Sequence, residues 1–193
     1  MSVPDWDKRY EDAGKVNTQP SETLERALSH WDREPGEALD LACGAGRHSL
    51  LLASRRWRVT AVDASQKALA LVERHGNPRI SVRRADLEAA EFTIPATSFD
   101  LICDFYYLQR DLFPSIASGV RPGGLFVAEI PMVDSRPGVP AMNPAFLLKP
   151  GELRLAFPGW DLLEDAERIP ADTEQGGHRR RVATLIARKP LRQ

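Results

Sequence analysis

A chain of 193 residues has the length of one globular domain and is long enough to bury a hydrophobic core. Its hydrophobic fraction of 42% is ordinary for a globular protein, and no apolar run is long enough to cross a membrane. A net charge of -1 at pH 7 gives no overall positive field for nucleic acid. The first ten residues are polar and charged, unlike a secretory signal. We therefore expect one cytoplasmic domain with neither a membrane nor a nucleic-acid partner.

The first predicted elements are helices. Residues 6–13 are compatible with a short helix, and Ser21 begins a clearer one that ends near Trp31. Ser21 is a favoured N-cap residue, and Leu24 and Ala27 belong to an apolar stripe at helical spacing. We expect this helical segment to precede the main sheet.

Strands and helices then alternate along the chain. Apolar runs predict strands at Ala38–Ala42, Arg58–Val62, Arg79–Arg83, Phe99–Asp104 and Leu125–Ile130. Helical patterns lie between them at His48–Arg55, Ser65–Glu73 and Tyr107–Ser118. Such alternation predicts a parallel sheet with right-handed crossovers and helices on both faces.

The pattern changes after residue 131. Prolines are frequent between residues 132 and 159, which predicts an ordered loop with one short helix near Gly151–Phe157. Strand-like segments at Trp160–Glu164 and Arg181–Ala187 flank a polar turn and predict a terminal hairpin. The predicted fold class is therefore α/β, with a Rossmann-like, seven-stranded, mostly parallel sheet, helices on both faces and a C-terminal antiparallel hairpin.

A glycine-rich turn follows the first predicted strand. The small residues Ala42, Gly44 and Gly46 allow the backbone to approach a ligand directly after a buried strand. Asp63, at the end of the next strand, is placed to accept hydrogen bonds from a ribose diol at the switch point of the sheet. These features also permit a dinucleotide such as NAD, although Ser49 stands where that fingerprint has a third glycine.

Two further acids narrow the choice of ligand. Asp40 lies inside the first strand, where a carboxylate without a partner is costly, and Asp86 follows the third strand. Acids crowded at one edge suit a ligand that bears an ammonium, a sulfonium and an amino-purine better than a pyrophosphate. An NAD-dependent oxidoreductase stays open as an alternative, as does a non-catalytic module that keeps the pocket as a sensor or scaffold.

With these motifs the sequence resembles the class I S-adenosylmethionine-dependent methyltransferases. The segments that carry the resemblance are Leu39–Gly46, Val62–Asp63, Ala85–Leu87, Phe99–Ile102 and Arg121–Gly124. It implies S-adenosylmethionine as the cofactor, with Gly44 and Gly46 against its methionine moiety. Asp63 would then hold the ribose, and Asp86 would meet the adenine amine. Ala42 departs from the family, which more often has glycine there.

The resemblance also implies further cofactor-binding residues and a division of the single domain into three parts. Further residues assigned to the cofactor are Asp40, Ala42, Cys43, Ala64, Leu87 and Asp104. The single domain is expected to comprise an N-terminal helical cap (1–35), a cofactor-binding core (36–130) and a substrate-side loop with the C-terminal strands (131–193).

A closer resemblance is to the tellurite-resistance and thiopurine methyltransferase-like branch. The segments that carry it are Trp6–Tyr10, Gly46–Ser49 and Arg181–Lys189. This likeness implies that Trp6 and Tyr10 fold over the cofactor, although a staple for the N-terminal helix is an alternative. It also implies that His178 with Arg179 or Arg180 faces the acceptor in a catalytic role, with a solvated strand end as the alternative.

The methyl acceptor is expected to be a small molecule. Tyr106, Tyr107 and Arg110 follow the fourth strand, where this fold presents its acceptor, and are assigned to that pocket. Core packing is the alternative for the two tyrosines. The resemblance leaves a metalloid oxyanion, a thiol and an amine open as acceptors. Methyl transfer depends mainly on proximity and orientation, so no catalytic base is obligatory.

The remaining polar candidates receive structural interpretations. The four histidines lack the spacing of a metal site, so no metal is predicted. His48, at the start of a predicted helix, is interpreted as a structural or capping residue. Cys43 and Cys103 lie in or beside apolar runs and are interpreted as buried, reduced thiols without a nucleophilic role.

Overall fold

The computed structural model of the protein describes residues 3–11, 16–169 and 180–191. Its strands within those residues are β1 (Glu37–Leu41), β2 (Arg58–Asp63), β3 (Ile80–Arg84), β4 (Phe99–Phe105), β5 (Val120–Pro131), β6 (Asp161–Arg168) and β7 (Val182–Arg188). They form a single sheet in the order β3-β2-β1-β4-β5-β7-β6.

Helices connect most of these strands. They are α1 (Val3–Arg9), α2 (Glu22–Ser29), α3 (Arg47–Ser54), α4 (Gln66–Glu73), α5 (Phe113–Gly119) and α6 (Glu152–Leu155), with short 3-10 helices at Arg110–Leu112 and Pro144–Phe146. Ser21 caps α2 by accepting from the Thr23 amide, and Ser65 caps α4 by accepting from the Ala68 amide. No helix in the described ranges has the length and apolar character needed to cross a membrane.

Strand directions follow the predicted α/β pattern. Neighbouring strands from β3 through β5 are parallel, whereas β7 runs antiparallel to both β5 and β6. The predicted fold class is therefore confirmed, including the C-terminal antiparallel hairpin.

Alternating side chains let each strand contribute to two cores. On one face Leu101 of β4 belongs to a cluster that also contains Leu52 of α3 and residues of α2. On the other face the adjacent residue Ile102 belongs to a cluster with Ile116 of α5 and residues of α6. Both sides of the central strands are thus buried, as expected for a parallel sheet covered by helices.

The predicted helix at Tyr107–Ser118 begins later than expected, because α5 starts at Phe113. Tyr106 has a φ of 62°, in the left-handed region, so the chain turns sharply at the end of β4. Pro114 lies in the first turn of α5, where the missing amide costs nothing. Residues 107–109 therefore remain irregular at the carboxyl edge of the sheet, and the 3-10 helix Arg110–Leu112 leads into α5.

A crevice forms where β1 lies between two parallel neighbours. The register places Asp40 beside Ala61 of β2 on one side and beside Cys103 of β4 on the other. Because the chain leaves β1 and β4 in opposite directions along the sheet, the carboxyl ends of these strands flank an open space. Ala42 and Gly44 follow β1 with left-handed φ values of 49° and 55° and curve the backbone under this space.

Candidate active site

A cavity of about 640 Å³ lies at the carboxyl ends of β1, β2 and β4. Small-molecule sites commonly occupy about 300 to 1,000 Å³. The predicted site residues in its wall are Trp6, Tyr10, Asp40, Ala42, Cys43, Gly44, Asp63, Ala64, Asp86, Leu87, Tyr106 and Tyr107. Residues from distant parts of the sequence therefore share one cavity.

Gly46 and Asp104 lie outside this wall. A Cβ on Gly46 would lie 2.6 Å from Cγ2 of Val72, so the glycine allows α4 to pack closely. Asp104 is adjacent on β4 to Cys103 and therefore points to the sheet face opposite Asp40. Burial raises the pKa of the Asp104 carboxyl well above its usual range.

Arg110 also lies outside the wall, because other partners use its guanidinium. Nε donates to Oε1 of Glu152 at 2.5 Å. Nη1 and Nη2 donate to the carbonyls of Ala145 and Leu147, at 2.8 and 2.9 Å respectively. Arg110 therefore fastens the loop after β5 rather than facing the predicted acceptor pocket.

Several wall residues were not predicted as ligand contacts, among them Arg47, His48, Met142 and Phe146. Arg47 and His48 directly follow the glycine turn, and this position in the sequence could have identified them as residues of the cavity wall. Met142 and Phe146 come from the proline-rich loop, whose path is fixed by distant contacts such as those of Arg110. The predicted His178 and Arg179 lie outside the described residues.

The glycine turn lies directly beneath the N-terminal segment. A Cβ on Gly44 would lie 2.5 Å from the hydroxyl oxygen of Tyr10, so only glycine leaves room for this approach. Burial raises the pKa of Tyr10 to about 12, which keeps the phenol neutral at pH 7. The turn and Tyr10 together close one side of the cavity.

Asp63 is anchored by backbone amides at the end of β2. Its Oδ2 accepts from Gly44 N, and its Oδ1 accepts from Ser65 N, both at 2.8 Å. Burial raises the pKa of Asp63, although these two hydrogen bonds oppose the increase. A carboxylate offers about four acceptor sites, so acceptor capacity remains on a residue that lines the cavity.

Asp7 connects α1 to the N-terminus of α4. The Oδ1 atom of Asp7 accepts from the Ser65 hydroxyl at 2.6 Å and from Lys67 N at 3.3 Å. The Ser65 hydrogen bond lowers the pKa of Asp7, so the carboxylate is ionised at neutral pH. This docking places Trp6 and Tyr10 in the cavity wall.

Asp86 organises a turn after β3. Its Oδ1 accepts from Glu88 N at 2.9 Å and from Ala89 N at 3.3 Å. Gln109 Nε2 donates to the carbonyl of Leu87 at 3.2 Å, which ties this turn to the segment after β4. The contacts fix Asp86 and Leu87 in the same part of the wall.

Tyr106 is held in the cavity wall by a buried carboxylate. Its hydroxyl donates to Oε1 of Glu129 at 2.6 Å. Oε2 of Glu129 accepts from the Ser21 hydroxyl at 3.0 Å and the Thr23 hydroxyl at 2.8 Å. The Arg47 guanidinium carbon lies 5.5 Å from the centroid of the Tyr106 ring, which brings a positive charge to this part of the wall.

Asp40 is almost fully buried below the glycine turn, with 1% of its surface exposed. Its Oδ2 accepts from the Ser49 hydroxyl at 2.6 Å, and its Oδ1 accepts from the Cys103 thiol at 3.4 Å. Burial raises the pKa of Asp40 to about 6, against the opposing effect of these two hydrogen bonds. Cys43 and Cys103 are both free and buried, as expected.

This raised pKa predicts a pH-dependent effect of Asp40→Asn on the stability of the ligand-free protein. The native state retains the Asp40 proton above pH 4, where the unfolded chain has lost it, so stability falls as pH rises towards and through 6. Asparagine removes this dependence. The stability of Asp40→Asn relative to wild type should therefore increase by about 1 kcal/mol between pH 5 and pH 7.

Urea unfolding of both proteins at the two pH values measures this difference, with the exposed Asp32→Asn as a control that should show none. A constant difference between wild type and Asp40→Asn would contradict the prediction.

Within the described residues, no group of three or more His, Cys, Asp and Glu side chains is arranged to hold a metal ion. The crevice instead combines a glycine turn, a ribose-compatible acid and a second acid after β3. These features define a Rossmann-like domain with a site for a nucleoside-type cofactor.

Comparisons with known proteins identify the family. Residues 38–124 match a family model described as a methyltransferase domain. The chain is 31% identical over 172 residues to TehB of Haemophilus influenzae, a probable S-adenosyl-L-methionine-dependent methyltransferase, across 80% of this chain and 58% of that protein. It is 30% identical over 141 residues to trans-aconitate 2-methyltransferase of Streptomyces avermitilis, across 67% of this chain and 52% of that protein.

The fold agrees with this family. The crystal structure of TehB from Haemophilus influenzae matches with a TM-score of 0.71 at 24% identity, covering 95% of this chain and 67% of that chain. The chain spans 58% and 52% of the lengths of the two curated relatives. It belongs to the class I S-adenosylmethionine-dependent methyltransferases, in the TehB-like branch. This membership replaces the alternative of an NAD-dependent oxidoreductase.

Proposed function

We propose that this chain transfers the methyl group of S-adenosylmethionine to a small-molecule acceptor. One observation carries the proposal: the glycine turn, Asp40, Asp63 and Asp86 all line a single cavity. Family membership adds the nature of the cofactor. The length and charge of the chain give no reason to invoke a nucleic-acid partner.

The residues present fit such a cofactor. The Asp63 carboxylate can accept further hydrogen bonds from a ribose diol. The amides of Gly44 and Ser65 fix the orientation of this carboxylate. Gly44 lines the cavity without a Cβ, so the backbone of the turn can approach a methionine moiety closely. Asp86 and Leu87 would meet the adenine, with Tyr10 and Trp6 covering the opposite side.

The charges near the glycine turn also fit. A sulfonium and an ammonium are both positive, and Asp40 and Asp63 line the part of the cavity where these groups would lie. Burial raises the pKa of Asp40 to about 6, and a positively charged ligand beside this carboxyl would favour its ionised form. The same acids would repel a pyrophosphate.

The protein's contribution to transfer would be placement and exclusion of water. When bound, S-adenosylmethionine supplies a methyl group already activated by its attachment to a positive sulfur. The chain's own residues then need to hold an acceptor in line with it and keep water away. Phe105, Tyr106 and Phe146 supply an aromatic wall that serves both purposes.

The residues proposed to contact the methyl acceptor come from two regions of the chain. Tyr106 and Tyr107 line the cavity and are proposed to contact the acceptor. His178 and Arg179 remain proposed as catalytic or acceptor-facing residues. Arg180 donates to the carbonyl of Pro140, so the segment just before β7 contacts the proline-rich loop.

Thermal unfolding with increasing S-adenosylhomocysteine tests the cofactor assignment. A ligand that binds only the folded state stabilises it by about 2.7 kcal/mol at one hundred times its Kd, so the melting temperature should rise with concentration. NADH at the same concentrations should produce no shift. A rise with NADH but not with S-adenosylhomocysteine would contradict the proposal.

Turnover then separates an enzyme from a non-catalytic cofactor-binding module. The chain should release S-adenosylhomocysteine when supplied with S-adenosylmethionine and a suitable member of a panel of carboxylates, oxyanions, thiols and amines. The related proteins include one named for trans-aconitate, so organic acids belong in the panel beside the metalloid oxyanions, thiols and amines. Binding without any turnover would support the non-catalytic module instead.

A further inference from the structure

His48 is a buried wall residue that the cofactor assignment does not use. It is 3% exposed, lines the cavity and stacks on Phe105 with ring centroids 3.9 Å apart. Its Nε2 accepts a hydrogen bond from the backbone amide of Ser21 at 3.2 Å. Among the described residues, Ser21 is the one hydrogen-bond partner of this imidazole.

This hydrogen bond fixes the tautomer of the ring. An imidazole nitrogen that accepts a hydrogen bond carries no proton, so the proton of neutral His48 lies on Nδ1. Burial and the nearby Arg47 charge both lower the pKa of His48 well below its usual range, which favours the neutral ring. Nδ1–H is therefore a donor without an acceptor in the described part of the chain.

The position of Ser21 is itself fixed. Its hydroxyl donates to Oε2 of Glu129, and its side chain also caps α2. His48 is further restrained by stacking on Phe105. Nδ1 is not one of the fully buried polar atoms that lack a partner in the described residues, so it is accessible to solvent on a residue that lines the cavity, and the imidazole is held in the orientation that keeps it so. Such an arrangement favours a ligand that accepts a hydrogen bond.

The surroundings favour an anionic ligand with an apolar body. Arg47 lies in the same wall and brings positive charge, and the Glu129 carboxylate beside Ser21 already accepts three hydroxyl hydrogen bonds. The acids Asp63, Asp86 and Glu88 of the wall follow β2 and β3. Apolar surface around this end comes from Phe105, Pro131, Met142 and Phe146. A bare inorganic oxyanion would leave that surface without a partner, whereas an organic acid would cover it.

We propose that His48 positions the acceptor by donating from Nδ1–H to a carboxylate, and that the acceptor is a small organic acid with an apolar body. This inference rests on the proposed methyl transfer. One carboxylate oxygen accepts the hydrogen bond, and the other forms a bond to the methyl carbon. The carbon–sulfur bond breaks at the same time, its electron pair stays on sulfur, and the products are a methyl ester and a neutral thioether. No proton moves.

The fixed tautomer also excludes His48 as a base. Its only basic nitrogen, Nε2, is occupied by the Ser21 amide, so it has no free lone pair for a thiol or ammonium proton. A carboxylic acid is already ionised at neutral pH and needs no such base. His48 is therefore a positioning and specificity residue.

Two substitutions distinguish the role of Nδ1 from the role of Nε2 in the His48 imidazole. His48→Asn places an amide near the position of Nδ1 and retains a donor there, whereas His48→Gln reaches the position of Nε2 and retains an acceptor for Ser21. We expect His48→Gln to lower kcat/KM for a carboxylate by about 10- to 100-fold, because a hydrogen bond to a charged group is lost. His48→Asn should remain within a few-fold of wild type. Both should bind S-adenosylhomocysteine like wild type.

The assay supplies S-adenosylmethionine with short alkyl and aryl carboxylic acids, and with selenite, thiols and amines as competing classes. Mass spectrometry should detect methyl esters, and the ¹⁵N shift of His48 Nδ1 should move on addition of the same acids in the presence of S-adenosylhomocysteine. The inference would be overturned if His48→Gln and His48→Asn had equal effects on kcat/KM, or if NMR showed a proton on Nε2. Methyl transfer to selenite, thiols or amines alone would overturn it as well. The absence of both ester and shift would overturn it too. Failure to bind S-adenosylhomocysteine would instead refute the proposed function.

Discussion

Asp63→Ala should weaken S-adenosylhomocysteine binding by about 100- to 1,000-fold, because it removes the proposed acceptor of the ribose hydroxyls and the anchor of the glycine turn. Each hydrogen bond to a carboxylate contributes about 1.5 to 3 kcal/mol. The substitution also leaves the amides of Gly44 and Ser65 without their partner, so the glycine turn loses its fixed shape. Isothermal titration calorimetry measures the change in Kd.

The control is Asp161→Ala, which removes an exposed carboxylate at the start of β6. It should bind S-adenosylhomocysteine with the wild-type Kd. Asp63→Ala should still show a cooperative thermal transition in the absence of ligand, since Asp63 lies at the end of its strand. A Kd within about threefold of wild type, in a folded Asp63→Ala protein, would show that the ribose lies elsewhere.

The sheet was predictable because its signals are local. Most strands of the core are short apolar runs, and the turn residues between them are distinctive, as at Gly44. The start of α5 was not predictable from periodicity, because the left-handed conformation of Tyr106 ends β4 abruptly. That conformation is stabilised by the contact of the Tyr106 hydroxyl with Glu129, which lies 23 residues away in the sequence.

The clustering of acids in the candidate cofactor site was predictable for a geometric reason. Carboxyl ends of parallel strands meet at one edge, so acids such as Asp63 and Asp86 come together whatever the connections between them. The acceptor end depends on long-range contacts. Arg110 follows β4 and was assigned to the pocket, but Glu152, 42 residues away, takes its guanidinium.

Glu129 was missed although the sequence carried a signal for it. It lies in an otherwise apolar strand, as Asp40 does, and a carboxylate in such a place needs a partner. Its partners are hydroxyl groups from α2 and from the end of β4, so no charge pattern along the sequence identifies them. The same logic that marked Asp40 would have marked Glu129.

Glu129→Ala should destabilise the protein by about 4 kcal/mol, because three hydroxyl groups lose one common acceptor. Glu129 is 5% exposed, and its carboxylate joins Ser21, Thr23 and Tyr106. Each hydrogen bond lost to a charged acceptor costs about 1.5 to 3 kcal/mol, less where the contact is only part-buried, and the truncated side chain leaves a cavity as well. Glu129→Gln retains one carbonyl acceptor and should cost about half as much. Urea unfolding at pH 7 measures both changes.

The exposed Glu25→Ala on α2 is the matched control and should stay within about 0.5 kcal/mol of wild type. Because Glu129 holds Tyr106 in the cavity wall and Ser21 against His48, its loss should also disturb the acceptor end more than the cofactor end. Folded Glu129→Gln should accordingly bind S-adenosylhomocysteine within about threefold of wild type while KM for the acceptor rises. A destabilisation by Glu129→Ala below about 1 kcal/mol would mean that water replaces the carboxylate, and this network would then not hold the acceptor end in place.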